Sequence, residues 1–146
     1  MTEESPTSAV VQRLLPAPPE VAFDEWLDPE ALAEFTCPYP TRAGVVECDP
    51  RVGGRLRIDM IDDDSVVHVT GEYLAIDRPH RLHFTWTTDL ADGFDSIVMV
   101  AFEAHGDGQT LMTIEHAQLP SEWRSDHERG WAIIADQLAH NLEPSA

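Results

Sequence analysis

The chain has 146 residues, 42% of them hydrophobic, enough to bury the core of one domain and too few for a second. Its nine basic residues are all Arg, against 27 Asp and Glu, for a formal charge of −18; that field repels phosphate backbones and anionic surfaces, which argues against nucleic-acid and membrane partners. Met1 to Ser8 is polar and acidic, and no stretch approaches the roughly 18 apolar residues of a membrane span, so a cytoplasmic protein without a leader is expected.

Residues 1–7 are expected to be a loose tail, 8–142 one domain and 143–146 a second short tail. Ser8 to Leu15 is rich in β-branched and apolar residues and predicts a strand, closed by Pro16. Pro18-Pro19-Glu20 opens a short helix, because first-turn amides have no intrahelical partner and tolerate proline. Val21, Ala22, Phe23 and Trp26 supply its apolar stripe. Asp28-Pro29-Glu30 repeats the punctuation as N-cap and N1, predicting a second short helix to about Phe35.

From Thr41 to His116 the period becomes two, and turn signals divide the segment into about six strands. These cover Val45 to Glu47, Arg55 to Ile61, Val66 to Ile76, Arg81 to Thr88, Ser96 to Glu103 and Thr110 to His116. Leu56, Ile58 and Met60 face one way, Arg55, Arg57 and Asp59 the other, and Gly71 marks a bulge. Short connections imply an antiparallel meander, with His105-Gly106-Asp107-Gly108 turning the last hairpin. Asp62-Asp63-Asp64 lacks the glycine and terminal glutamate of a calcium loop and reads as a solvated turn. Ser125-Asp126-His127-Glu128 fits a capping box with Ser125 at the N-cap, followed by a helix to about Leu142. Its stripe is His127, Trp131, Ile134 and Leu138, with Ala135 and Leu142 beside it.

The two cysteines, Cys37 and Cys48, have neither CxxC spacing nor further ligands at zinc spacing, and read as free thiols. No metal motif of the HExxH or HxH type occurs, and no nucleophile elbow. The sequence implies no cofactor and no metal.

A strand, two short helices, six strands and a long last helix follow the order of the START-like, or SRPBCC, superfamily. The local wording resembles its branch named after the activator of heat-shock protein ATPase. The phrases are Asp28-Pro29-Glu30-Ala31-Leu32, Asp49-Pro50-Arg51-Val52-Gly53-Gly54-Arg55, Gly71-Glu72-Tyr73-Leu74, Ile76-Asp77-Arg78-Pro79, Leu82-His83-Phe84-Thr85-Trp86 and Glu128-Arg129-Gly130-Trp131. Where relatives commonly carry a Trp-Trp pair, this chain has Glu34-Phe35-Thr36-Cys37-Pro38. The resemblance implies an α+β helix-grip fold: a curved six- to seven-stranded antiparallel sheet wrapped around the C-terminal helix. It also implies a cavity between them, with ligand binders, cyclase-like enzymes and co-chaperone domains among the relatives.

Inward parity then nominates the ligand-binding residues: Met60, Tyr73, Trp86, Val98, Val100, Met112, Ile114 and His116 from strands, and His127, Trp131 and Ile134 from the helix. No catalytic residue is assigned. His116 and His127 are expected to converge at one pocket mouth. Gly130 costs about 1 kcal/mol in a helix interior, which close approach of helix to sheet would offset. The expected function is binding of a small apolar or aromatic molecule. The alternatives are a cyclase- or hydrolase-like enzyme using His116 or His127 as acid or base, and a co-chaperone-like module with a protein partner. A homodimer is also expected, two-fold dimers being the commonest oligomers.

Overall fold

Alternation of apolar and polar side chains drives most of the chain into strands, because a period of two puts every second residue on one face. The computed structural model describes residues 7–88 and 95–143. They form β1 (Thr7–Leu15), α1 (Pro19–Glu25), α2 (Pro29–Phe35), β2 (Arg42–Cys48), β3 (Arg55–Asp62), β4 (Ser65–Asp77), β5 (Arg81–Thr88), β6 (Asp95–His105), β7 (Gln109–Leu119) and α3 (Arg124–Asn141). Of the tails expected over residues 1–7 and 143–146, residues 1–6 and 144–146 lie outside the described residues, and Thr7 begins β1. Seven strands make one antiparallel sheet in the order β1-β7-β6-β5-β4-β3-β2. With α3 held against one face, this is the helix-grip α+β architecture. Among the described residues no helix is long and apolar enough to cross a membrane.

Register stacks the inward residues into rows. Leu82, Phe84 and Trp86 of β5 stand opposite Val100, Val98 and Ser96 of β6, and Val100 and Val98 stand opposite Ile114 and His116 of β7. All eight are buried. The helix α3 lies along β1 and also meets α2 and β7, while α1 meets β6 and β7. It buries Trp131, Ile134, Ala135, Leu138 and Ala139. Rings fill the interior: Trp26 packs edge-on to Phe35 at 5.0 Å between centroids and stacks on Trp131 at 6.2 Å.

Several local expectations are corrected. The register shift in β4 falls between Tyr73 and Ala75, not at Gly71; Gly71 instead allows β4 to approach β5, since a Cβ there would lie 2.0 Å from the Thr85 carbonyl oxygen. Val21 is exposed, so the stripe of α1 is Ala22, Phe23 and Trp26. Ser125 is not the N-cap of α3. A 3-10 turn over Ser121–Trp123 runs directly into the helix, placing Trp123 at the cap position without a side-chain capping bond to the helix and Ser125 inside the first turn. At α2 the reading holds: the Asp28 carboxylate accepts from the Glu30 amide at 3.0 Å, with Pro29 next to it.

Helix ends leave carbonyls without intrahelical partners, and α2 solves this with a side chain from α3. The Gln137 Nε2 donates to the carbonyls of Phe35 at 2.9 Å and Cys37 at 3.0 Å, and its Oε1 accepts from the Tyr39 amide at 3.1 Å. One amide thereby fixes the segment that carries Pro38. Replacing Gln137 by Ala strips these partners, and should lower unfolding stability by about 1–3 kcal/mol in urea titration. A loss under about 0.5 kcal/mol, the range of an ordinary surface change, would show that the clamp contributes nothing.

Candidate functional site

A straight helix cannot follow a curved sheet along its whole width. Here α3 seats on the β1 and β7 side, and its first turns stand away from β3, β4 and β5. The gap is a cavity of about 320 Å³ that opens to solvent, at the lower end of the ~300–1,000 Å³ typical of small-molecule sites. Its walls are Met60 of β3, Val67 and Val69 of β4, Trp86 and Thr88 of β5, and Pro38 from the clamped loop. Trp123 precedes α3, which supplies Asp126, His127, Gly130, Trp131 and Ile134. Those helix residues share a face because positions three and four apart lie one above another.

Beneath the cavity floor runs a buried hydrogen-bond chain. The indole Nε1–H of Trp131 donates to His116 Nδ1 at 2.9 Å, His116 Nε2 lies 2.6 Å from Ser96 Oγ, and the Ser96 hydroxyl donates to the Trp86 carbonyl at 2.7 Å. An indole can only donate, so His116 Nδ1 is the acceptor and Nε2 carries the proton, donating to Ser96. Every group in the chain is satisfied in a single direction. Protonating His116 would aim two N–H groups at each other across the Trp131 contact. Burial, and then the neighbouring His127 with its ring centroid 5.0 Å away, hold the His116 pKa down to about 3 from the usual 6.5. His127 Nδ1 donates to the Trp123 carbonyl at 2.9 Å.

The nominated residues divide by strand. Met60, Trp86, His127, Trp131 and Ile134 line the cavity together. Val98, Val100, Met112, Ile114 and His116 are fully buried on β6 and β7, in the layer under the helices. Tyr73 lines a separate void of about 10 Å³ with Trp26, Thr36 and Trp86, so the Trp86 ring borders both spaces. Trp26 Nε1 is, among the described residues, the buried side-chain polar atom without a hydrogen-bond partner. Parity reasoning missed Val67 and Val69, although they share a face with Tyr73, and it missed Trp123, four residues before His127 on the same stripe.

Gly130 needs a different explanation from the one expected. A Cβ there would meet nothing within 4 Å, so the helix does not approach the sheet at this point. The missing side chain leaves cavity space, at a helix cost of about 1 kcal/mol. Elsewhere the chemistry is quiet. Cys37 and Cys48 are free, and burial pushes the Cys37 thiol up to about 11. Among the described residues no three of His, Cys, Asp or Glu are grouped to hold a metal. On the outer face Asp59 is buried between Arg57 at 2.9 Å and His68 at 2.8 Å, and these hydrogen bonds hold its carboxyl below the usual range.

A histidine whose pKa falls on folding binds fewer protons folded than unfolded. Its contribution is complete above about 6.5 and is lost as the pH falls toward 3. Wild type should therefore lose stability relative to His116→Gln by about 1.4 kcal/mol per pH unit below pH 6.5. Urea unfolding of both proteins at pH 7, 6 and 5 measures the difference and cancels the shared carboxylates. Parallel pH profiles would mean that His116 is not held neutral.

Residues 16–143 match the family model described as activator of Hsp90 ATPase homolog 1-like protein. Among solved structures, a protein from Chromobacterium violaceum is 27% identical, with 96% of this chain and 100% of that one covered and a TM-score of 0.85. A Rhizobium leguminosarum protein is 26% identical over 94% of this chain and 95% of its own, with a TM-score of 0.79. The AHSA1 protein of Silicibacter pomeroyi, at 23% identity, covers 93% and 97% with a TM-score of 0.82 and shows the shared fold. No curated protein matches the chain. The family match spans both short helices, six of the seven strands and α3, and the chain belongs to the activator of Hsp90 ATPase homolog 1-like family.

Proposed function

We propose that the protein binds a small apolar or aromatic molecule in the cavity between α3 and strands β3 to β5. The observation that carries this reading is the glycine-widened cavity of about 320 Å³, walled by three indoles, a methionine and aliphatic side chains. A fold selected for stability alone would place Ala or a larger helix former at position 130, because Gly costs about 1 kcal/mol in a helix interior. Flat indole faces and a flexible thioether suit an apolar guest of variable shape. The hydrolase- or cyclase-like alternative needs a base at the cavity. His116 serves it poorly, since its accepting nitrogen is already occupied by Trp131, and His127, the other candidate, commits Nδ1 to the Trp123 carbonyl. Binding without chemistry is the reading the site supports best.

Two variants at one position test it. Gly130→Ala should raise stability by about 1 kcal/mol, the ordinary helix gain of Ala over Gly. Gly130→Leu should fill the space and abolish ligand-induced stabilisation. In thermal-shift assays with a panel of apolar and aromatic compounds, a binder at about 100 times its Kd should stabilise wild type by about 2.7 kcal/mol and leave Gly130→Leu unmoved. A panel without a stabilising compound, or equal stabilisation of both proteins, would contradict the proposal.

A further inference from the structure

We propose that the ligand carries a cationic group, an ammonium or a quaternary amine, on its apolar or aromatic body; this rests on the ligand-binding reading above and adds its chemical class. Among the described residues the cavity is lined by three tryptophans and one carboxylate, Asp126, and by no Arg. Thr88 and His127 are the remaining polar walls among those residues. A cation within about 6 Å of an indole face is attracted by the ring quadrupole, and more strongly once water is excluded. An anionic ligand would meet the Asp126 carboxylate with no Arg among the lining residues to offset it.

Of the neighbouring arginines, one is engaged elsewhere and the other makes only a long, exposed pair with Asp126. Arg124 bonds Glu128 at 3.0 Å. Arg129 reaches Asp126 only at 3.9 Å, with both side chains mostly exposed, and such a pair is worth little in water. Asp126 therefore keeps its charge available at the cavity wall. The whole-protein charge of −18 acts in the same direction, concentrating small cations near the surface and repelling anions. Local walls and long-range field select the same sign.

Three probes separate the possibilities: phenyltrimethylammonium, its uncharged isostere tert-butylbenzene, and 4-tert-butylbenzoate, which adds a carboxylate to that body. Binding is followed by tryptophan fluorescence and by NMR at low and high salt. The cation should bind about 2- to 30-fold more tightly than the isostere at low salt, lose part of that advantage at high salt, and lose at least about threefold in Asp126→Asn, where the isostere is unaffected. The anion should bind most weakly. Equal or tighter binding of tert-butylbenzene overturns the charge inference and leaves the cavity reading standing. Failure of all three probes to bind overturns both.

Discussion

The placement of the last helix depends on a buried hydrogen-bond chain that ties it to the sheet. Trp131, His116, Ser96 and the Trp86 carbonyl lie on α3, β7, β6 and β5, so three short bonds connect the last helix to the middle of the sheet. Each donor has one acceptor, and each is buried. Breaking any link strands a polar group in an apolar interior at about 1–3 kcal/mol. Hydrophobic burial alone would let α3 rotate or slide over the sheet, because it is non-directional. The indole bond admits one rotation, which sets Gly130 and Trp131 toward the cavity and Leu138 and Ala139 into the core.

The cavity follows from that rotation together with the curvature of the sheet. Strands β1 and β7 accept the helix, and β3 to β5 bend away from its first turns, with the Trp86 ring of β5 still meeting Trp131 at 5.0 Å between centroids. Two further features keep the space defined. Gln137 ties the loop carrying Pro38 to α3, and Gly130 withholds a side chain where one would fit. Both lie on the same helix, so one element carries the hydrogen bond that fixes its rotation, the clamp on the opposite wall and the gap. Helix stability is given up at Gly130 in return for volume, the trade expected where a fold serves binding.

Much of this was legible in the sequence because two periodicities carry it. Alternation along Leu82, Phe84 and Trp86, and the stripe Trp131, Ile134, Leu138, assign faces without ambiguity. His116 follows the parity of Met112 and Ile114, and its burial was readable on that ground. Parity sorts faces, however, and not position across a curved sheet. Met60 and Val98 both point inward, yet β3 lies beyond the helix and β6 beneath the two helices, so one lines the cavity and the other fills the core. That distinction belongs to tertiary curvature, which no local pattern encodes. Gly130 was visible as an anomaly, but whether a helical glycine brings two surfaces together or holds them apart depends on what faces it. Ser125 misled because a 3-10 turn, invisible to a capping pattern, starts the helix early.

The most direct test uses the four tryptophans of the chain. Trp86, Trp123 and Trp131 line the cavity, and Trp26 lies outside it in the core, which supplies an internal control. Indole N–H resonances followed during titration with a binding aromatic compound should move for the three cavity residues along one saturation curve at one equivalent. Trp26, stacked on Trp131 but outside the cavity, should move least. Shifts spread equally over all four, or confined to Trp26, would place the ligand elsewhere and contradict the account.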